Sequence, residues 1–277
     1  MNDQLLLYKV NNKIFITDKL VSKNYNRVFP IYEDESIFFA ENLKVNKNDI
    51  VLDLGCGSGI LSVFSASKAK KVYAIDINER ALQFTKFNAC LNSVDIKIKA
   101  IKSNLFEKIK GKFDVILFNP PFNISPGSLK GALFSDGGLD GLKITKKALK
   151  DINNFINKGA RLQLITLSLG KFGKPIIIDE IYKYLGKNIS IEYTELYPKT
   201  KSLHFLKGVF GNKYKDFITD IANKYPEYYY LFITVYFNPK NKFLRKLKTP
   251  HFKMTNFSGS WKARINRRRA ILGYRYK

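Results

Sequence analysis

Ile50-Val-Leu-Asp-Leu-Gly-Cys-Gly-Ser-Gly59 is a short apolar run that breaks into three alternate glycines. A buried strand running into such a loop, with a helix behind it, lets the backbone turn tightly and approach an anionic or polar ligand at the helix N-terminus. The dinucleotide-binding fingerprint needs a glycine three residues after the second, but position 60 is Ile, which disfavours a nicotinamide or flavin cofactor. The next apolar run, VYAID, ends at Asp76, about where a doubly wound sheet carries the acid that accepts hydrogen bonds from a ribose diol. As plain structure, Asp76 would instead cap the helix that starts near Asn78.

Outward from these runs the chain alternates. Apolar strands are expected at 50–54, 72–76, 95–100, 113–118 and 161–167, separated by helical stretches at about 58–69, 78–92, 139–157 and 174–186. Strict alternation argues for a doubly wound, mostly parallel α/β sheet. Beyond Ile189, ISIEYTELY, a helical stretch near 212–224 and YYYLFITVYF (228–237) supply two late strands, one of them antiparallel. In front, LLLYKV (5–10) and KIFITD (13–18) flank Asn11-Asn12 as a hairpin, and Asp34 and Ser36 open a helix through Leu43.

The strand Phe113–Phe118 runs into Asn119-Pro120-Pro121-Phe122. The prolines fix φ and donate no hydrogen bonds, so the loop leaves the strand rigidly with its carbonyls free. An amide or exocyclic amine is a poor nucleophile because its lone pair is delocalised. Two acceptors, the Asn119 side-chain oxygen and the Pro120 carbonyl, would orient that lone pair and stabilise the charge that develops on nitrogen. Phe122 offers a face for a planar group. Without the glycine loop, the same four residues read as a strand terminator.

The protein has 277 residues, 48 Lys+Arg and 23 Asp+Glu, a formal charge of +25. Such a charge favours phosphate-rich partners, RNA or the ribosome, against the competing reading of a generally lysine-rich surface. From Pro239 to Lys277 there are thirteen Lys/Arg and no acid, interspersed with Phe243, Phe252, Phe257, Trp261, Tyr274 and Tyr276. This segment reads either as a nucleic-acid contact or as a solvated tail. Two cysteines and two histidines, none at ligand spacing, exclude a four-ligand zinc site, and no metal is expected. The N-terminal apolar run is too short for a signal-peptide core and no run reaches a membrane span, so a cytoplasmic location is expected. Cys56 needs only to be small and apolar, and no redox role is assigned to it.

Taken together, the glycine loop, Asp76 and the NPPF run resemble the class I S-adenosylmethionine-dependent methyltransferases, in the small-domain branch that carries N-P-P-[FY] and methylates nitrogens of planar systems. The resemblance spans about residues 28–170. It implies a Rossmann-like fold with a seven-stranded sheet and S-adenosyl-L-methionine as cofactor. Asp53, Gly55, Gly57 and Gly59 would hold its methionine end, Asp76 its ribose, and the Ser103–Phe106 stretch, with Asn104 and Phe106, its adenine. Asn119, Pro120 and Phe122 would be catalytic, and Pro121 and Phe122 would bind substrate. Many relatives have Asp where Asn104 stands. Residues 103–122 look like the ribosomal RNA guanine-amino enzymes, whereas VFPIYEDESIFFAENL (28–43) and SDGGLDGL (135–142) look like the glutamine-amide enzymes of translation proteins. Gly137, Gly138 and Gly141 around Asp140 read as a flexible loop over the substrate, or as an ordinary helix-start turn. An RNA base is the expected acceptor; a glutamine amide, a small molecule, and a non-catalytic module on the same scaffold are the alternatives. The expected organisation is a hairpin and helix at 1–46, a methyltransferase domain at 47–238 and a basic extension at 239–277.

Overall fold

Three residues of the run at 50–54, Val51, Leu52 and Leu54, are fully buried, as a strand covered on both faces requires. The computed structural model describes residues 5–19, 26–29, 34–126 and 134–249. In chain order the elements are β1 (Leu5–Val10), β2 (Lys13–Asp18), α1 (Asp34–Glu41), β3 (Ile50–Leu54), α2 (Ile60–Ala66), β4 (Lys71–Asp76), α3 (Glu79–Leu91), β5 (Ile98–Lys102), β6 (Phe113–Phe118), α4 (Lys143–Asp151), β7 (Ile156–Lys171), β8 (Lys174–Pro175), α5 (Ile176–Leu185), β9 (Ile189–Glu195), β10 (Thr200–Lys201), α6 (Ser202–Phe210), α7 (Lys215–Lys224), β11 (Glu227–Phe237) and β12 (Leu244–Leu247).

β1 and β2 form a separate hairpin, and the main sheet runs β12-β9-β11-β7-β6-β3-β4-β5. Along it β3, β4, β5, β6 and β7 are parallel, and β11 is antiparallel to both β7 and β9. Chain order reverses between β3 and β6, so their C-terminal ends diverge into a crevice. The sheet counts ten strands where the sequence suggested seven. Two are the two-residue strands β8 and β10. The third is β12, which lies beyond residue 238 and pairs in parallel with β9, so that Ile191 N–H donates to Phe243 O at 2.9 Å and Lys246 Nζ reaches Glu195 at 2.6 Å. The basic extension thus begins as part of the sheet. Its residues from Pro250 to Lys277, with Trp261 and Arg267-Arg268-Arg269, lie outside the described residues, as do Pro30–Glu33 of the 28–43 stretch.

Successive residues of the central strands feed two cores. Val51, Leu117, Ile165, Leu167, Tyr228, Tyr230 and Phe232 face one side, with α1, α2, α6 and the hairpin's Phe15. Leu52, Leu54, Ile116, Phe118, Leu164, Tyr229, Leu231 and Ile233 face the other, with α4 and α5. Each large apolar side chain so covered contributes about 1.5–3 kcal/mol. Helix α6 was not anticipated: Gly208 interrupts its sequence, and it forms because Phe205, Leu206, Val209 and Phe210 are buried in the first core. The helix expected at 139–157 is shorter, because Gly141 at φ 79 keeps the chain non-helical before α4 and a 3-10 turn at 152–155 follows it.

The hairpin is anchored by α3. Asn88 accepts from Ile16 N at 2.8 Å and donates to Ile16 O at 3.0 Å, and Asn92, one turn on, makes the same pair with Ile14 at 3.0 and 2.6 Å. Two asparagines thereby stand in for a neighbouring strand along β2. Arg80 adds an ion pair to the buried Asp18, which also receives Val28 N–H. Asn88 also donates to Ser58 O at 2.8 Å, joining the hairpin to the loop after β3. Asn88 is fully buried, and Asn88→Ala leaves its partners Ile16 and Ser58 without these bonds. It is expected to cost on the order of 3 kcal/mol in urea unfolding; a loss below about 0.5 kcal/mol would show that the hairpin's anchor lies elsewhere.

Candidate active site

The loop after β3 is held open by its own backbone. Gly55, Gly57 and Gly59 have φ of 76°, 55° and 82°, in the left-handed region. Gly55 and Cys56 both donate to Ile75 O at 2.8 Å, which pins the loop to β4. Gly59 is required for a second reason: a Cβ there would stand 2.9 Å from Thr85 Cα, so α3 packs that closely under the loop. A Cβ at Gly55 would meet nothing within 4 Å, so the other side of the loop faces open space.

Asp76, at the end of β4, reaches into this loop. Its Oδ2 accepts from Gly57 N at 3.0 Å and its Oδ1 from Asn78 N at 2.8 Å. Each oxygen keeps acceptor capacity, as two hydroxyls would require. Burial raises its pKa although backbone N–H groups pull it back. Asp76 thus orients the turn before α3, whose cap is Asn78, accepting from Arg80 N, and not Asp76 itself. Asp53 is 1% exposed and accepts only Ser62 Oγ, at 2.6 Å, among side chains. Burial pushes its carboxyl up to about 7, against the pull of Ser62.

Asn104 and Phe106 are committed elsewhere. The Asn104 amide donates to Glu107 at 2.5 Å, and the Phe106 ring stacks on Phe155 at 4.5 Å between centroids, buried in the second core. Of this stretch, Ser103 N–H donates to Asp76 O at 3.0 Å, so its backbone is what lies beside Asp76.

Because Leu54 pairs with Phe118, the glycine loop and Asn119-Pro120-Pro121-Phe122 leave adjacent strands at the same level. Asn119 and Pro121 are half-buried, and Pro120 and Phe122 are buried. The Phe122 ring lies 6.1 Å from that of Tyr230, which is hydrogen-bonded to the buried Glu35 of α1 and lies 5.5 Å from Tyr197. Phe122 is thus a wall of the crevice, with 5% of its surface open. Glu35, Tyr197 and Tyr230 are the residues that sequence reading missed. Glu35 reads there as an ordinary first-turn acid, and only the fold brings it to Tyr230.

Gly137, Gly138 and Gly141 form a clamp on the same loop. A Cβ at Gly137 would lie 2.6 Å from Phe122 C, so backbone packs on backbone. Asn123 N donates to Ser135 O at 3.1 Å, Gly137 N to Asn123 O at 2.8 Å and Ser125 N to Gly138 O at 2.9 Å. Asp136 accepts from Ser125 Oγ and Gly138 N; with Lys143 these outweigh burial and hold its pKa down. Asp140 accepts from Leu142 N at 2.9 Å, which fixes the turn before α4, and pairs with Lys146.

The methyltransferase small-domain family model matches residues 32–133. A "Putative protein N5-glutamine methyltransferase" of Methanocaldococcus jannaschii is 40% identical over 170 residues, 58% of this chain and 83% of that protein. A release factor glutamine methyltransferase of Flavobacterium psychrophilum is 31% identical over 68% of this chain and 66% of its own length. A ribosomal RNA small subunit methyltransferase C of Salmonella arizonae is 29% identical over 48% of this chain and 35% of its own length. The chain belongs to the small-domain methyltransferase family. Among solved structures, a tRNA methyltransferase of M. jannaschii superposes with TM-score 0.51 at 23% identity, over 87% of this chain and 59% of that one. M. jannaschii TYW2, in complex with AdoMet, superposes with TM-score 0.53 at 16% identity, over 86% of this chain and 88% of that one. These two share the Rossmann-like fold. No helix among the described residues is long and apolar enough to cross a membrane.

Burying Asp53 carries a pH signature. Its folded pKa of about 7 lies above the unfolded value, so its contribution to stability is complete at acid pH and is lost as pH rises from about 4 through 7. Asp53→Asn removes that loss. The variant is expected to gain on the wild type by on the order of 3 kcal/mol between pH 4 and pH 7.5. Parallel pH profiles in denaturant unfolding would contradict it.

Proposed function

We propose that the protein is an S-adenosylmethionine-dependent N-methyltransferase that modifies an exocyclic amine of an RNA base. The observation that carries the chemistry is the placement of Asn119-Pro120-Pro121-Phe122 beside the glycine loop and Asp76, at the ends of three adjacent strands. The crevice suits an adenosyl ligand: the loop is free of side chains at Gly55, and the Asp76 carboxylate has acceptor capacity beside it. Asp76 would hold the ribose, and Asp53 with the loop backbone would face the cationic methionine end. The adenine contact falls to the backbone of residues 103–105, since the Asn104 and Phe106 side chains are engaged.

When bound, S-adenosylmethionine supplies a methyl group on a positively charged sulfur. The protein's part is to position the acceptor. The Asn119 Oδ1 and Pro120 carbonyl accept the two amine hydrogens, which turns the nitrogen lone pair toward the methyl carbon and stabilises the positive charge that grows on nitrogen. Phe122 and Tyr230 wall off water and set the plane of the acceptor. The proton leaves the nitrogen after transfer, so no base of shifted pKa is needed.

The RNA assignment rests on the charge of +25, on the lysine and arginine run beyond residue 239, and on Phe122 in the motif. A glutamine amide of a translation protein is the second reading, supported by the 40% identical relative named for that activity. Transfer of labelled methyl into fractionated lysate separates them: label removed by ribonuclease alone supports RNA, and label removed by protease alone overturns it in favour of glutamine.

Asn119→Ala is expected to lower kcat by at least 100-fold with cofactor affinity unchanged in calorimetry. Asp76→Ala is expected to weaken the cofactor roughly 10- to 100-fold, as loss of hydrogen bonds to a charged acceptor should. Full turnover by the first, or unaltered calorimetric affinity in the second, would refute the corresponding assignment. A tail truncation belongs after Lys248, because a cut at 239 also removes β12. It is expected to flatten the salt dependence of RNA binding while sparing the cofactor.

A further inference from the structure

β7 outruns its neighbour. Phe118 of β6 pairs with Leu164, yet β7 continues to Lys171, past Leu167 opposite Tyr230, and turns through Phe172-Gly173 into β8. Its tip therefore projects beyond the end of β6, the strand that carries Asn119, about 16 Å along the strand from the Tyr230 level. At that tip Phe172 is 93% exposed, the most exposed large apolar side chain among the described residues.

The turn itself argues against accident. Phe172 has φ 54° and Gly173 φ 76°, the two-residue hairpin geometry that Asn-Gly adopts without strain and Phe does not. The tip is also held rigidly. Gly173 N–H donates to Glu227 at 2.8 Å, and Glu227 is fixed in turn by Lys199 and by the Tyr229 hydroxyl at 2.7 Å. Lys171 Nζ sits 5.8 Å from the Phe172 ring, and Lys174, across the hairpin, pairs with Asp179 at 2.6 Å. A strained, anchored, exposed aromatic ring beside a lysine suits a nucleobase, which offers a flat face and an adjoining phosphate.

Resting on the RNA reading above, we propose that Phe172 is a stacking finger for an unpaired base flanking the modified one, with Lys171 on an adjoining phosphate. It is a specificity element apart from the methyl-transfer residues.

The test uses the full chain and an unstructured, mixed-sequence, fluorescein-labelled RNA of about 12 nucleotides. The same RNA with 2-aminopurine at successive positions reports stacking as quenching. Phe172→Asn relieves the turn, so its unfolding midpoint should equal or exceed the wild type's and cofactor affinity should hold. Its RNA affinity should fall about tenfold and the quenching should vanish. Phe172→Leu keeps apolarity and backbone strain without the π-face and should lose the quenching equally, whereas Phe172→Trp should retain it. If the wild type binds and quenches the RNA and Phe172→Asn does the same, the finger is refuted while the RNA reading stands. A wild type that binds no RNA refutes the RNA reading itself. Methylation of a protein that Phe172→Leu sustains and Phe172→Asn loses would make the contact a hydrophobic one to protein, and overturn the proposal.

Discussion

The parallel pairing of β3 with β4 on one side and β6 on the other is the constraint on which the site depends. Leu54 stands level with Ile75 and Phe118, so the chain segments that follow these three strands emerge side by side. Chain order reverses between β3 and β6. The glycine loop, Asp76 and Asn119 are far apart in sequence and share one crevice for this reason alone.

Around the crevice, support comes from elements outside the parallel sheet. Helix α3 presses Thr85 under the glycine loop and hands Asn88 to both that loop and the hairpin. Helix α1 brings Glu35 to Tyr230, and Tyr230 backs Phe122. The Gly137 and Gly141 backbone clamps the other side of the same loop. The glycine loop is thus backed by α3, and the loop after β6 by Tyr230 and by the Gly137–Gly141 backbone. Such rigidity suits a reaction whose rate comes from positioning.

The burial of aromatic rings does not follow from the motifs. Phe122 is 5% exposed and packs beside Tyr230, while Phe172, which belongs to no motif, is 93% exposed. Phe106 stacks on Phe155, so what adjoins Asp76 in that stretch is backbone. A motif reports which residue stands at a strand end; the direction of its side chain follows from the helices packed over that end.

Short apolar runs at regular spacing, closed by Gly55-Cys-Gly-Ser-Gly59, Asp76 and Asn119-Pro-Pro-Phe122, were enough to specify the α/β class, the strand–helix alternation and the ends at which chemistry sits. Local chain stiffness and hydrophobic period encode those features, and both are properties of neighbouring residues. The eighth strand on the sheet path, helix α6, the hairpin's attachment through Asn88 and Asn92, and the Glu35–Tyr230–Phe122 contact were not legible in this way. Each joins segments distant in the chain, or owes its form to burial against a surface that exists only once the sheet has assembled. The glycines at 137, 138 and 141 lie on the boundary between the two: their positions read as a turn, and only the packed structure reveals that a side chain at 137 or 141 would strike the backbone of Phe122.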